Sequence, residues 1–403
     1  MNSLPKIAVL MFSATVREAR VMRQVMALRG GFSVTVLGMG RNPFAHLPDV
    51  TFIELPADPR ALSGKLLRRA ALYVTVLGGL FPSADLWRHR RRACWRKALA
   101  WLLENRMDVL IAHEPESAEL AARIKAKHGT RIILDLHEYS PRESDNKLHF
   151  RLIKRPHVLR VLRRWGAQAD GALTVNEHFS DLYVRECGLP RPVCVLNAPA
   201  LLEGPRPPKL DDGRIHIIHH GICSPARELH LSVEALRTTK ENVVLHFMFA
   251  DSNAAYLAVL ESMAAEMPGR VFFEPAVDYA DILREIAQYQ IGLFFIPANT
   301  FNHKHGLGNK FFDYLCAGLP LITGPNDAAS QLTRENHFGW VTDDFTPAAL
   351  ARVLNALTPE TLAEAAARAD GFARRVNADT EHRKLISLIE RLLECRLQAE
   401  TST

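Results

Sequence analysis

The stretch Gly308-Asn309-Lys310-Phe311-Phe312-Asp313-Tyr314-Leu315-Cys316-Ala317-Gly318-Leu319-Pro320 carries the parts of an anion site in thirteen residues. Gly306 and Gly308 let the backbone approach a ligand closely. Asn309 suits a helix N-cap, and Lys310 and Asp313, three apart, share a helix face. Phe311, Phe312, Leu315 and Cys316 form the apolar stripe, while Gly318 ends the helix and Pro320 prevents its resumption. A lysine beside a helix N-terminus suits a diphosphate. A carboxylate one turn further in suits sugar hydroxyls, so the ligand expected here is a nucleotide-sugar.

Two more loops place ionisable groups after apolar runs. Ala112-His113-Glu114-Pro115-Glu116 and Asp135-Leu136-His137-Glu138-Tyr139 each set a histidine beside a glutamate. A third, His220-Gly221-Ile222-Cys223-Ser224-Pro225-Ala226-Arg227, offers a glycine for close backbone approach and an arginine whose planar fork fits phosphate oxygens. A GxGxxG fingerprint is absent, which disfavours a dinucleotide cofactor. No cysteine or histidine spacing fits a metal, and none is expected.

These loops need strands ahead of them. Apolar runs at 6–12, 32–38, 107–112, 130–136, 170–175 and 192–196 read as strands, with helical spacing over 15–29, 116–127 and 177–186. The Pro-rich 197–209 is the expected linker, after which strand patterns restart at 214–220, 243–250, 271–274, 291–296 and 319–323. Alternating strands and helices predict doubly wound parallel sheets, with ligands at the carboxyl ends of the strands. The expected division is 1–200, 201–375, and a last amphipathic segment, 376–403, that returns to the first domain.

A chain of 403 residues is long enough for two domains, and 48% hydrophobic with 23% charged residues suits a globular protein. No run is long and apolar enough to span a bilayer, and the first residues lack a signal-peptide layout. The six cysteines are read as reduced thiols, so the expected location is the cytoplasm. The net charge of +6 is uneven: residues 60–106 hold eleven Lys and Arg against two acids, interleaved with Trp87, Trp95 and Trp101. That mixture suits an anionic membrane surface, peripherally bound on the cytoplasmic side. No motif for nucleic acid accompanies it.

The blocks at 308–320 and 220–229 resemble the donor-site motifs of the retaining family 4 glycosyltransferases of GT-B fold. The "DLHEY" loop is similar to that family's acceptor-side histidine loop. The resemblance implies two Rossmann-like domains facing a cleft and transfer of a sugar from a nucleotide-sugar, with retention. The donor would be a UDP- or GDP-sugar and the acceptor lipid-linked or a surface polysaccharide. His137 would lie near the reacting sugar, with Glu138 a contact for the acceptor hydroxyl and His113 beside them. Gly221, Arg227, Asn309 and Lys310 would hold the diphosphate, and Asp313 the ribose. The family's second glutamate is replaced by Asp313, and the position eight residues before it holds His305 in place of a glutamate. The donor sugar is therefore expected to be held differently, by Asn302, His303 or His305, with His305 assigned to the donor site. A nucleotide-sugar epimerase and a non-catalytic binding protein on the same fold remain alternatives.

Overall fold

The computed structural model describes residues 4–15, 18–57, 92–202 and 204–401, the last six as backbone. Arg17 and residues 60–91 of the basic segment lie outside the described residues. Two compact units are present: Met1–Leu196 with His382–Thr403, and Asn197–Glu381.

The first unit is built on a seven-stranded parallel sheet. Its strands are β1 (Lys6–Ala14), β2 (Ser33–Met39), β3 (Val50–Leu55), β4 (Val109–His113), β5 (Arg131–Asp135), β6 (Gly171–Thr174) and β7 (Val193–Cys194), in the order β3-β2-β1-β4-β5-β6-β7. The order reverses between β1 and β4, so the loops after these two strands open at the switch point, where ligands of such sheets bind. Helix α1 (Ala19–Leu28) follows β1 and buries Val21, Val25 and Leu28 in the core. Helix α2 (Ala118–His128) follows β4 and stops at Gly129, whose φ of 67° accommodates the left-handed cap. The last helix supplies Leu385, Leu388 and Ile389 to the same core.

The second unit repeats the architecture with six parallel strands: β8 (Ile215–Cys223), β9 (Val243–Ser252), β10 (Val271–Glu274), β11 (Ile291–Phe294), β12 (Leu321–Thr323) and β13 (Gly339–Val341). Their order is β10-β9-β8-β11-β12-β13, with the switch point between β8 and β11. Helix α3 (Asn309–Cys316) lies so close to β11 that a Cβ on Gly292 would sit 2.2 Å from Cγ of Tyr314. Glycine at 292 is thus a packing requirement.

The apolar runs mark eleven of the thirteen strands among the described residues. β3 escapes notice because Thr51 and Glu54 break its apolar run at a sheet edge, and β13 because it has three residues. A helical stretch from 148 to 164 was also not expected. All six cysteines are free. Among the described residues no helix is long and apolar enough to cross a membrane.

Candidate active site

In the second unit the loop after β8 and the start of α3 bring cations together. Gly221 has a φ of 121°, and a Cβ there would lie 2.7 Å from Nζ of Lys310. The lysine stem therefore rests on bare backbone, and its residue is only 8% exposed. Arg227 ends a short 3-10 turn after Ser224, with Glu228 taking a φ of 48° beyond it. Among the described residues neither Lys310 nor Arg227 has a carboxylate within ion-pair distance. Burial first, then the neighbouring Arg227 charge, hold the Lys310 ammonium well below the usual lysine range, while Asp313 pulls the other way. Burial likewise lowers Arg227. A buried lysine and a half-buried arginine without a counter-ion at ion-pair distance are costly, and an incoming anion relieves that cost.

The histidines around them are neutral. His220 is pushed down to about 3 by burial, Lys310 and Arg227. His303 is lowered by burial and the same two cations. His219 points to the other face of the sheet and lies 3.0 Å from the Leu293 carbonyl through Nδ1. Asp313 is 4% exposed and faces Nε2 of His220 at 3.5 Å. The backbone N–H of His220 donates to the Tyr314 hydroxyl at 3.1 Å. His220 and Tyr314 thus buttress the site, a role that motif reading missed because their partners lie on another element.

Two expected donor residues are placed differently. Gly308, at φ −75° and ψ 159°, is the N-cap of α3, and no side chain caps that helix. Asn309 is its first helical residue and is exposed, so the capping role assigned to it is corrected. A cap needs extended backbone, and here the flexible glycine supplies it. His305 ends the helix Phe301–His305, where its Nδ1 faces Asp327 Oδ2 at 2.9 Å and its ring meets Phe301. On that helix, the histidine whose ionisation feels Arg227 and Lys310 is His303.

In the first unit, the ends of β4 and β5 join His113 and His137. His113 Nδ1 and His137 Nε2 are 2.9 Å apart, with the rings edge to face. Beneath them Asp135 is fully buried and accepts hydrogen bonds from Arg20 Nε at 3.0 and 2.9 Å and from Nη2 at 2.8 Å, together with one from Gln24. Burial would raise the Asp135 carboxyl, but the Arg20 charge, the two histidines and the Arg20 hydrogen bonds together outweigh it and hold it well below the usual carboxylate range. Asp135 Oδ2 lies 3.6 Å from His113 Nδ1, which favours the tautomer with the proton on that nitrogen. His113 then donates to His137 Nε2, and the N–H at His137 Nδ1 turns toward Glu114 Oε1 at 3.6 Å and Glu18 Oε2 at 3.9 Å. Burial lowers His113 to about 4 and His137 to about 3.

Glu114 holds this loop from a left-handed backbone, φ 63°, that a non-glycine residue rarely adopts. Its carboxylate accepts from the His137 N–H at 3.2 Å and from Ser140 Oγ at 3.1 Å. Desolvation pushes its carboxyl up, toward about 8. About a third of its side chain remains open to solvent, which tempers that rise. Glu138 is exposed, and its carbonyl accepts from the Tyr183 hydroxyl. His113, Asp135 and His137 form one cluster with ligand atoms within 4.8 Å, the spacing of a cation site. Asp135, however, gives both oxygens to Arg20, and the histidines give their facing nitrogens to each other.

Residues 28–198 match the model of Glycosyltransferase Family 4. Anabaena HepE, solved with UDP and glucose, superposes over 96% of this chain and 100% of its own with a TM-score of 0.69 at 15% identity. The lipopolysaccharide outer core galactosyltransferase WaaB, in apo form, aligns over 96% and 99% at a TM-score of 0.60 and 13% identity. An E. coli trehalose-6-phosphate protein bound with UDP-2-fluoro glucose aligns over 96% and 98% at 0.64 and 15%. No curated protein matches the sequence.

Proposed function

We propose that the chain is a family 4 glycosyltransferase that moves a hexose from a UDP-sugar to a lipid-linked or surface-polysaccharide acceptor, with retention; the family match over residues 28–198 and the fold support that reading. The observation that carries the donor assignment is the pair of cations, Lys310 buried over Gly221 at the start of α3 and half-buried Arg227 near enough to lower it, with no carboxylate at ion-pair distance among the described residues. A diphosphate supplies the missing charge. As the sugar–phosphate bond breaks, negative charge grows on the departing diphosphate, and the two cations and the α3 N-terminus stabilise it there. Cationic side chains do this work without a metal. The choice of UDP over GDP is supported by HepE, whose complexes hold UDP and UDP-glucose.

Asp313, one turn inside α3, is the ribose acceptor. On the acceptor side His137 is neutral, and its ring is oriented by His113, so it positions a sugar hydroxyl without adding charge. Glu138 is solvent-facing, where an acceptor hydroxyl can reach it. Gly221 keeps the phosphate loop close to Lys310. The basic segment 60–106 supports an acceptor that sits at an anionic membrane surface, with the enzyme peripheral on its cytoplasmic side.

The test is calorimetric titration with UDP-, GDP-, ADP- and dTDP-hexoses on wild type and Lys310→Ala. Binding of a UDP-sugar that weakens at least tenfold in the variant supports the reading. Selective binding of another nucleotide removes the UDP assignment, and equal binding by both proteins removes the donor site.

A further inference from the structure

The segment from 147 to 164 carries seven lysines and arginines and no acid. It opens with a π-helical turn, Phe150–Lys154, and continues as the helix Arg155–Arg164. Turns of this kind are rare and frequently functional. Phe150, His157 and Leu162 are buried and fix the helix to its unit. What remains outside is unusual. Leu148 and Leu152, one turn apart, are each 66% exposed, the most exposed large apolar residues described. Beside them runs a groove lined by Arg151, Arg155, Arg160, Arg163 and Arg164 with Leu159. One nearby carboxylate, Glu186, lies 3.8 Å from Arg155, and Asp145 is held by Arg142 at 2.6 Å. Arg164 stacks over Trp165 at 5.0 Å.

We infer that this face, residues 147–164, docks the enzyme on a bilayer of anionic lipids. Leu148 and Leu152 enter the headgroup boundary, and the arginines meet lipid phosphates. Cations alone would fit any polyanion. The paired exposed leucines among them favour a surface with an apolar interior. The inference rests on the reading that the acceptor is membrane-borne, and it names a stretch of sequence other than 60–106.

The experiment is flotation of the full chain with vesicles of phosphatidylglycerol and phosphatidylcholine, and with phosphatidylcholine alone. Wild type is compared with Arg151→Glu/Lys154→Glu and with Leu148→Ser/Leu152→Ser. All four positions are exposed, and unchanged UDP-induced thermal stabilisation verifies that the variants fold. Wild type is expected to float with the anionic vesicles only. Charge reversal is expected to lower partition by about tenfold or more. The leucine variant should lose several-fold of its vesicle binding while its retention on heparin stays unchanged. If charge reversal leaves flotation intact, the membrane contact lies elsewhere, so this face is wrong while a membrane-borne acceptor stands. If the leucine variant floats as wild type does, the face is a polyanion site and the bilayer proposal falls. If wild type ignores anionic vesicles, the face and the membrane reading fall together.

Discussion

Lys310 shows how a binding residue can weaken the unliganded fold. Its ammonium is buried beside a guanidinium, and its folded pKa lies below the ordinary lysine value of 10.5. The unfolded chain therefore holds more protons in the window below 10.5, and stability rises with pH there. Lys310→Met is expected to raise the melting temperature of the free enzyme at neutral pH and to weaken UDP about 10- to 100-fold, the loss of one or two charge-assisted hydrogen bonds. UDP should also take up protons on binding to wild type and fewer on binding to the variant, read by calorimetry in buffers of different ionisation enthalpy. A variant that melts lower and still binds UDP would contradict this account. The histidine pair behaves in the same sense. His113 and His137 titrate near 4 and 3, below the ordinary 6.5, so the unfolded state gains protons first as pH falls. Stability is then lost as pH drops from 6.5 toward 4. At about 1.4 kcal/mol per pH unit, His113 alone accounts for on the order of 3 kcal/mol of that loss. His113→Asn should show a smaller drop in melting temperature between pH 7 and pH 5 than wild type, and equal drops would count against it. Arg227 and His137 stood out in the sequence because each follows a strand within a recognisable motif, and Lys310 because it opens a helix after a glycine-bearing loop. Asp135 and its partner Arg20 did not, because 115 residues separate them and only folding brings them together. The strained backbone of Glu114 leaves no mark in residue type either, since glycine would be the usual signal.

At the scale of elements, α3 is both a wall of the core and the frame of the proposed donor site. Phe311, Tyr314, Leu315 and Cys316 are buried, and Lys310 projects from the same turns. The position of Lys310 therefore depends on how closely α3 meets β11. Gly292→Ala would put a methyl group against the Tyr314 ring and is expected to cost about 1–3 kcal/mol by overpacking. UDP should also bind more weakly, because Tyr314 supports the His220 backbone beside the cations. Gly371→Ala is the contrast: it lies inside the helix Pro359–Arg375 with nothing near its would-be Cβ, and about 0.4–1 kcal/mol of stabilisation is expected. Urea denaturation of the two variants measures both, and similar effects would refute the packing argument. The strand runs of α/β proteins are easy to read since buried parallel strands are continuously apolar. The 148–164 helix was harder. The π turn shifts the helical period at Phe150–Lys154, ahead of the amphipathic helix Arg155–Arg164.

At the scale of the whole molecule, the two units differ in how the chain builds them. The second is one contiguous segment, Asn197–Glu381, while the first needs the end of the chain. Leu385, Leu388 and Ile389 of the last helix complete its core, and Leu388 packs so tightly on Gly171 that a Cβ there would lie 3.1 Å from Cδ2 of the leucine. A sequence reading can mark the amphipathic pattern of that helix but not the surface it covers, since the contact joins residues about two hundred positions apart. The consequence is a sharp asymmetry between fragments. Residues 197–381 should fold alone and cooperatively and bind UDP, since Arg227, Lys310 and Asp313 all lie within them. Residues 1–196 should lack a cooperative thermal transition, because removing the last helix strips three large side chains from the core at once. In the full chain, Leu388→Ala should cost about 2–5 kcal/mol for the cavity it leaves, with UDP affinity unchanged. A cooperative transition in the 1–196 fragment, or a neutral Leu388→Ala, would show that the last helix is an appendage to the first unit and not part of its core.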